Sequence, residues 1–313
     1  MRSTRASSSG HSSAIRPRSS SSTPRIFPEG LANSLDWLAQ IQVSVGDLQA
    51  TLETQRAAFD LRRRLVEMDP EDTDAALMLT VAHNTLGFTL ANLGRDQEAL
   101  IHHEADVEIC RRLVDHDPQN AQWRRSLGRA EHLMGEALAR SGRVDEALIA
   151  IDDALRIAIE LHALDPENLL WKRDVWGTRV TRAAVLVDST NRRDEALRIA
   201  GEAAEECLGV LQAVPDDAEA RLCLVRSLLI EGRALRENGR TSEALERWNE
   251  ALGFYGDDQD NASARVLDAK SRLLLHLDRK AEARVLAEEL LKKGYRRTDY
   301  VSFLKKQNLD SVF

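Results

Sequence analysis

Histidine and acidic side chains lie together in the segment His102-His103-Glu104-Ala105-Asp106-Val107, which comes closest in this sequence to a zinc-binding motif. A helical zinc site of the form HExxH needs a second histidine one turn after the first, so that both rings face the metal. Val107 occupies that position. The other histidines beyond residue 27 are scattered along the chain without ligand spacing: His83, His116, His132, His162 and His276. The sequence therefore predicts no metal site.

Acidic pairs and cysteines are the other side chains with catalytic or redox potential. Asp152-Asp153 and Glu205-Glu206 are adjacent residues, which point about 100° apart on a helix and are typical of a solvated face. Cys110, Cys207 and Cys223 form no CxxC pair and indicate neither a zinc site nor a disulfide framework. Two of them, Cys110 and Cys207, recur at apolar positions, which favours buried packing. Phosphate-binding loops and nucleophile motifs are absent, so we expect no catalytic residue, no enzyme activity and no cofactor.

Composition narrows the class of protein further. Aromatic residues make up 4% of the 313 residues, and charged residues make up 30%, which favours a helical protein over an aromatic-rich β-sandwich. The formal charge of −8 argues against a nucleic-acid partner, because no net basic field attracts phosphates. No apolar run approaches the ~18 residues of a membrane span, and residues 1–27 lack a signal-peptide core. We therefore expect no membrane association and a cytoplasmic location.

The first 27 residues differ in composition from the rest of the chain. They contain ten serines, five arginines and no acidic residue, and such segments have too few apolar groups to offset the entropy of ordering. The segment also resembles an organelle transit peptide in composition but lacks the apolar stripe of an amphipathic helix. We interpret residues 1–27 as a disordered tail.

From Leu31 onward the sequence repeats. Proline disfavours helix at the preceding residue, and four such prolines are spaced 48, 48 and 49 residues apart: Asp69-Pro70, Asp117-Pro118, Asp165-Pro166 and Val214-Pro215. Between them, glycines are followed by acidic residues, the pattern that closes one helix and opens the next. These glycines are Gly94, Gly142 and Gly239. Each repeat is therefore predicted to be two antiparallel helices joined by a tight turn.

The spacing of small residues within each repeat resembles that of the tetratricopeptide repeat family. Its 34-residue unit has a small residue at the eighth position, glycine at the fifteenth and alanine at the twentieth. Three sets match: Gly87, Gly94 and Ala99; Gly135, Gly142 and Ala147; and Gly232, Gly239 and Ala244. The resemblance implies an all-α, right-handed superhelical solenoid of antiparallel helix pairs. We expect about six pairs over residues 28–293 and a capping helix over residues 294–313.

The repeats here are longer than the family unit, because both helices of each pair gain seven residues. Seven residues make nearly two turns and rotate the apolar face by only ~20°, so the faces stay aligned. The segments Asp117–Arg125 and Asp165–Arg173 look like the long repeats of bacterial multidomain signalling proteins. This likeness leaves open an alternative function, that of a sensor or regulatory module of a bacterial, kinase-associated signalling system.

In the resembling family the first helix of each pair lines a concave groove. The leading hypothesis is therefore a non-catalytic scaffold that binds a peptide segment of a partner protein there. The family's groove positions fall here on Asn84, Phe88, Asn92, Arg129, His132, Glu136, Arg140, Thr181, Asp188, Arg226, Arg233 and Arg236. The same residues also suit a merely solvated surface.

Charge and the ends of the array indicate two further properties. Residues 119–142, a first helix, hold four basic and two acidic residues, whereas residues 143–165, its second helix, hold two basic and six acidic residues. A groove with this bias favours a partner that carries carboxylates. Solenoid ends expose unpaired faces, so self-association is a further possibility.

Overall fold

The computed structural model describes residues 23–255, 263–309 and 312. In that part of the chain, thirteen α-helices and one 3₁₀ turn, Thr190–Arg192, follow one another without a strand. The helices are α1 Thr23–Val45, α2 Leu48–Met68, α3 Thr73–Asn92, α4 Asp96–His116, α5 Ala121–Arg140, α6 Val144–Leu164, α7 Leu169–Leu186, α8 Arg193–Ala213, α9 Ala218–Glu237, α10 Thr241–Gly253, α11 Ala264–His276, α12 Lys280–Lys292 and α13 Thr298–Lys306. The predicted all-α fold is confirmed.

The repeating prolines end helices, as predicted. Helices α2, α4, α6 and α8 each stop two residues before a repeat proline. A capping side chain then opens the next helix at each repeat and satisfies a free backbone N–H. For example, Asn120 accepts a hydrogen bond from the backbone N–H of Trp123 at 3.2 Å, and Asp217 accepts one from Ala220 at 3.0 Å. The repeat prolines and the capping side chains that follow them thus mark the helix boundaries at each 48-residue repeat.

The glycines of the repeat serve two separate purposes. Gly142 and Gly239 have φ values of +78° and +79°, a region that side chains with a Cβ rarely adopt. Gly135 instead lies inside α5, where a Cβ would approach Ile151 of α6 to 2.6 Å. The first kind turns the chain between paired helices, and the second lets the two helices pack closely.

Paired helices stack side by side into a solenoid. Consecutive helices from α1 to α12 pack on each other, and α3, α5, α7, α9 and α11 also contact one another along one side. Ion pairs between equivalent repeat positions join consecutive repeats, such as Arg125 Nε to Asp174 Oδ2 at 2.5 Å and Arg173 Nη2 to Asp217 Oδ2 at 2.5 Å. The solenoid of antiparallel helix pairs predicted from the sequence is confirmed.

The two ends of the solenoid meet. The link between α12 and α13 lies against α3 and α4, where the backbone N–H of Arg296 donates to the carbonyl oxygen of Asn92 at 2.6 Å. Thr298 Oγ1 donates to Asp96 Oδ2 at 2.5 Å. A shared apolar cluster includes Leu48 from α2 together with Tyr295 and other residues from the C-terminal helices. We call residues 293–299 the clasp, because they close the array into a ring.

Helix α1 begins at Thr23, inside the segment interpreted as a tail, and residues 1–22 lie outside the described residues. Within the described helices, none combines the length and apolar character needed to cross a bilayer.

The cysteine prediction is wrong for one pair. Cys207 of α8 and Cys223 of α9 form a disulfide, with their Cα atoms 6.3 Å apart. The antiparallel turn at Pro215 brings these positions together, since they lie at equal sequence distances on either side of it. Cys110 is buried, as predicted.

Candidate functional site

The inner wall of the ring surrounds a cavity of about 1,320 Å³. Residues from α1, α3, α5, α7 and α9 line it, together with parts of α6 and the start of α11. Small-molecule sites usually measure roughly 300–1,000 Å³, so this cavity has room for a larger ligand. We call it the central cavity.

Both apolar and polar side chains line the central cavity. Phe88 of α3, Leu133 of α5 and Leu222 of α9 supply apolar surface. Six of the twelve predicted groove residues line it: Asn84, Phe88, Asn92, Arg129, His132 and Arg226. A wall of this mixed kind offers apolar contact and directional hydrogen bonds to the same ligand.

Arg129 is an exposed cation on this wall. Among the residues that the structure describes, none forms an ion pair with it within 4 Å, although Asp106 acts on it at longer range. Burial raises the pKa of Asp106 to about 7, even though hydrogen bonds from Cys110 and Asn84 and the charge of Arg129 oppose the rise. The Arg129 guanidinium therefore keeps its hydrogen-bond donors available to a ligand.

Glu136 lies beside the cavity, close to two arginines and a histidine. Its carboxylate is 3.9 Å from Arg226 Nη2, 3.9 Å from Arg297 Nη1 and 3.7 Å from His132 Nε2. Burial alone would raise the pKa of Glu136, but its contact with His132 and the charges of Arg297 and Arg226 hold the pKa well below its ordinary value. Arg226 is thus partly neutralised from within the protein.

Arg140 and Thr181 also belong to this cluster. Arg140 Nε donates to Asp96 Oδ1 at 2.7 Å, and its side chain is 6% exposed. Thr181 Oγ1 lies 3.4 Å from Glu136 Oε1. Because Asp96 also accepts the clasp hydroxyl of Thr298, these side chains connect the cavity wall to the ring closure.

The remaining predicted groove residues lie beyond the central cavity lining. Arg233 Nη2 pairs with Asp188 Oδ1 at 2.6 Å, so two of the predicted residues neutralise each other. The Arg236 guanidinium stacks 5.0 Å from the ring centre of Trp248. All three side chains are therefore engaged within the protein.

Sequence reasoning missed several lining residues. Gln40 and Val43 of α1 line the cavity, and so do Arg125 and Arg173. The two arginines recur 48 residues apart and follow a tryptophan by two residues, a signal that was available in the sequence. The α1 residues carried no such signal, because α1 matches the family spacing poorly.

A cluster of histidines lies between α3 and α4, away from the cavity lining. The Nδ1 atoms of His83 and His102 are 3.1 Å apart. Burial, followed by the charge of His102, lowers the pKa of His83 to about 4. Among the described residues, no group of three or more histidine, cysteine or acidic side chains is placed to hold a metal ion.

Comparison with known proteins agrees with this architecture. A family model described as a tetratricopeptide repeat matches residues 82–120. The chain therefore contains a tetratricopeptide repeat at these residues. Its matched segment covers α4 and most of α3, which contribute to the cavity wall and to the clasp contact. No curated protein matches the chain.

Solved structures with the same fold include NprR in complex with its cognate peptide NprX. That structure aligns with a TM-score of 0.58 and 11% identity, over 92% of this chain and 76% of that one. A Rap protein complexed with competence and sporulation factor has a TM-score of 0.49 and 11% identity, over 90% of this chain and 88% of that one. The likeness to NprR shows the tetratricopeptide-type fold.

Proposed function

We propose that this protein is a non-catalytic scaffold that binds a peptide segment of a partner protein in the central cavity. The observation that carries the proposal is the exposed Arg129 on the wall of a cavity of about 1,320 Å³. The NprR structure contains a peptide, which supports a peptide ligand for this fold.

The charge of the wall supports a ligand that carries a carboxylate. Arginine presents a planar fork that binds both oxygens of a carboxylate. Arg129 has no counter-ion within 4 Å among the described residues, so a ligand carboxylate would not have to displace one. Arg226 contributes less, because Glu136 lies 3.9 Å away. Arg129 is therefore the proposed anchor, and Phe88 supplies adjacent apolar contact.

Affinity selection from a pool of random octapeptides tests the proposal. We expect the protein to enrich peptides with aspartate or glutamate, and we expect higher salt to weaken their binding because screening reduces the attraction. Arg129→Glu should reduce the affinity of an enriched peptide at least about tenfold, equivalent to 1.4 kcal/mol.

Arg112→Glu is the matched control, since Arg112 is an exposed arginine on α4 and does not line the cavity. It makes the same charge change and should leave binding unchanged. Equal binding by the wild type and Arg129→Glu, or enrichment without acidic residues, would contradict the proposed anchor.

The absence of enzyme activity is part of the same proposal, whereas the cytoplasmic location stays a prediction. No catalytic motif occurs in the sequence, and a broad hydrolase and transferase screen tests for turnover. The Cys207–Cys223 disulfide argues against the cytoplasmic location predicted from the sequence, because disulfides are rare in the reducing cytoplasm. The alternative role in a signalling system stays a prediction, and a kinase-like partner in a pull-down would support it.

A further inference from the structure

Helix α1 presents an apolar face that nothing in the described structure covers. Phe27 is 78% exposed, Ile41 is 60% exposed and Val45 is 70% exposed. Leu31, Trp37 and Leu38 are exposed on the same side. The opposite side of α1 is already occupied, since Ala32 and Ala39 are buried and Asp36 binds Arg62 of α2. A helix that is apolar on two faces is normally packed on both.

The exposed face has the spacing of a coiled-coil seam. Phe27, Leu31, Ser34, Leu38, Ile41 and Val45 are separated by four, three, four, three and four residues. This alternation places all six positions along one line of the helix, as in the a and d positions of heptads. Trp37 flanks the line. The pattern predicts a partner helix packed along α1.

The seam is complementary to itself in the antiparallel direction. When two copies of α1 cross antiparallel with residue 36 at the centre, Phe27 lies opposite Val45, Leu31 opposite Ile41 and Leu38 opposite Ser34. Each layer then pairs an a position with a d position, and the largest seam residues face smaller ones. A two-fold interface of this kind uses the same patch on both copies.

The area of the face favours a second copy, and no charged side chain lies in the seam to oppose it. Within Phe27–Val45 the acidic residues are Glu29 and Asp36, which lie off the seam, and there is no basic residue. The apolar side chains of the face expose roughly 700 Å², so a symmetric pair would bury on the order of 1,400 Å², within the range of stable interfaces. A patch of 700 Å² also exceeds the size usual on monomers.

The chain's own N-terminal residues do not suit the seam. Residues 1–22 contain only Met1, Ala6, Ala14 and Ile15 as apolar side chains, too few to fill five apolar layers. We propose that α1 is a homodimer interface in which the seam Phe27–Val45 packs antiparallel against the same seam of a second copy. The seam shares Val45 alone with the lining of the central cavity, so the inference does not depend on the peptide proposal.

Sedimentation equilibrium of the full chain tests the proposal. At about 100 µM, where even a weak dimer of micromolar Kd is populated, we expect twice the chain mass of 35.0 kDa. Added salt should not weaken the dimer, because apolar burial drives it and screening reduces repulsion between two chains of charge −8. A mass of one chain at this concentration overturns the proposal.

Two double variants locate the interface. Leu38→Glu with Ile41→Glu places four carboxylates in the dimer seam and should yield a folded monomer with the helix content of the wild type by circular dichroism, since both side chains are exposed. Ile101→Glu with Ile149→Glu makes the same change at exposed positions on α4 and α6 and should leave the dimer intact. A dimer that survives the first pair, or fails with the second, overturns the assignment to α1.

Cysteine crosslinking tests the direction of packing. A mixture of Leu31→Cys and Ile41→Cys proteins should form a disulfide-linked dimer under mild oxidation, because these positions face each other across the seam. Leu31→Cys alone should not crosslink. Crosslinking of Leu31→Cys to itself, with no crosslink between the two different variants in the mixture, would indicate parallel packing and would overturn the antiparallel seam.

Discussion

Gly94 connects two parts of the structure, because it lies in the α3–α4 turn and also touches the clasp. Its φ is +75°, close to the +78° of Gly142 and the +79° of Gly239. A Cβ at Gly94 would run into the carbonyl oxygen of Arg296, whereas a Cβ at Gly142 or Gly239 meets no atom within 4 Å. Alanine substitution at these three positions therefore distinguishes the stability lost in the turn from the stability lost when the clasp is displaced.

All three alanine variants should lose about 1–2 kcal/mol from the left-handed backbone. Gly94→Ala should lose more, because it displaces Arg296. The hydrogen bond from Arg296 N–H to Asn92 contributes about 1 kcal/mol, and the hydrogen bond from Thr298 to the Asp96 carboxylate contributes about 1.5–3 kcal/mol. We expect Gly94→Ala to be about 2–4 kcal/mol less stable than Gly142→Ala.

Urea unfolding measures this difference, and hydrogen exchange locates it. The Arg296 amide, bonded to Asn92, should exchange faster in Gly94→Ala, whereas the Tyr295 amide, bonded to Leu290 within the C-terminal helices, should keep its protection. Equal stability of the Gly94 and Gly142 variants, with unchanged exchange at Arg296, would refute a ring closed by the clasp.

Three other substitutions or treatments have defined outcomes. Asp106→Asn should raise the free energy of unfolding by up to about 4 kcal/mol at pH 8 and leave it unchanged at pH 4. The pKa of Asp106 is raised to about 7 by burial, so the wild type loses stability as the pH rises from 4 to 8 and the buried carboxyl group ionises. Urea titrations at both pH values measure the difference. Denatured, unreduced protein should show one free thiol and reduced protein three, since Cys207 and Cys223 are paired; three thiols before reduction would contradict the disulfide. Gly232→Ala should lower the free energy of unfolding by about 2–3 kcal/mol, because the added methyl group overpacks against Trp248. Gly177 is also helical but has no neighbour within 4 Å, so Gly177→Ala should leave the melting temperature unchanged or raise it.

Much of the fold was predictable because its boundaries are local. A proline disfavours helix at the residue before it, and the four repeat prolines follow helix ends although Pro28 lies inside α1. Glycine provides the backbone conformation that the turn requires. The four repeat prolines and Gly94, Gly142 and Gly239 therefore marked the helix pairs without any knowledge of packing.

The site was less predictable, because its contacts join distant positions. Nothing near Glu136 in the sequence indicates that Arg297 lies beside it. Arg233 and Asp188 were both identified by their repeat positions, but position alone does not show that they pair with each other. Family spacing identifies which face of a helix points inward, whereas the partner of each charge depends on how the ring closes.

The sequence carries a signal for the disulfide in the spacing of two cysteines around a turn. Cys207 and Cys223 are each eight residues from Pro215. In a helical hairpin, residues at equal distances from the turn lie opposite each other. Equal distances from a predicted helical turn, rather than a CxxC spacing, are therefore the sequence pattern that predicts this disulfide.

Ring closure makes the number of repeats a fixed property of this protein. An open solenoid lengthens by duplication of a unit, and the new unit simply extends the end. Here an added 48-residue unit between α4 and α11 would carry Arg296 away from Asn92 and Thr298 away from Asp96. Insertion or removal of a whole repeat would therefore break these contacts, whereas substitution of side chains that face the interior would leave them in place.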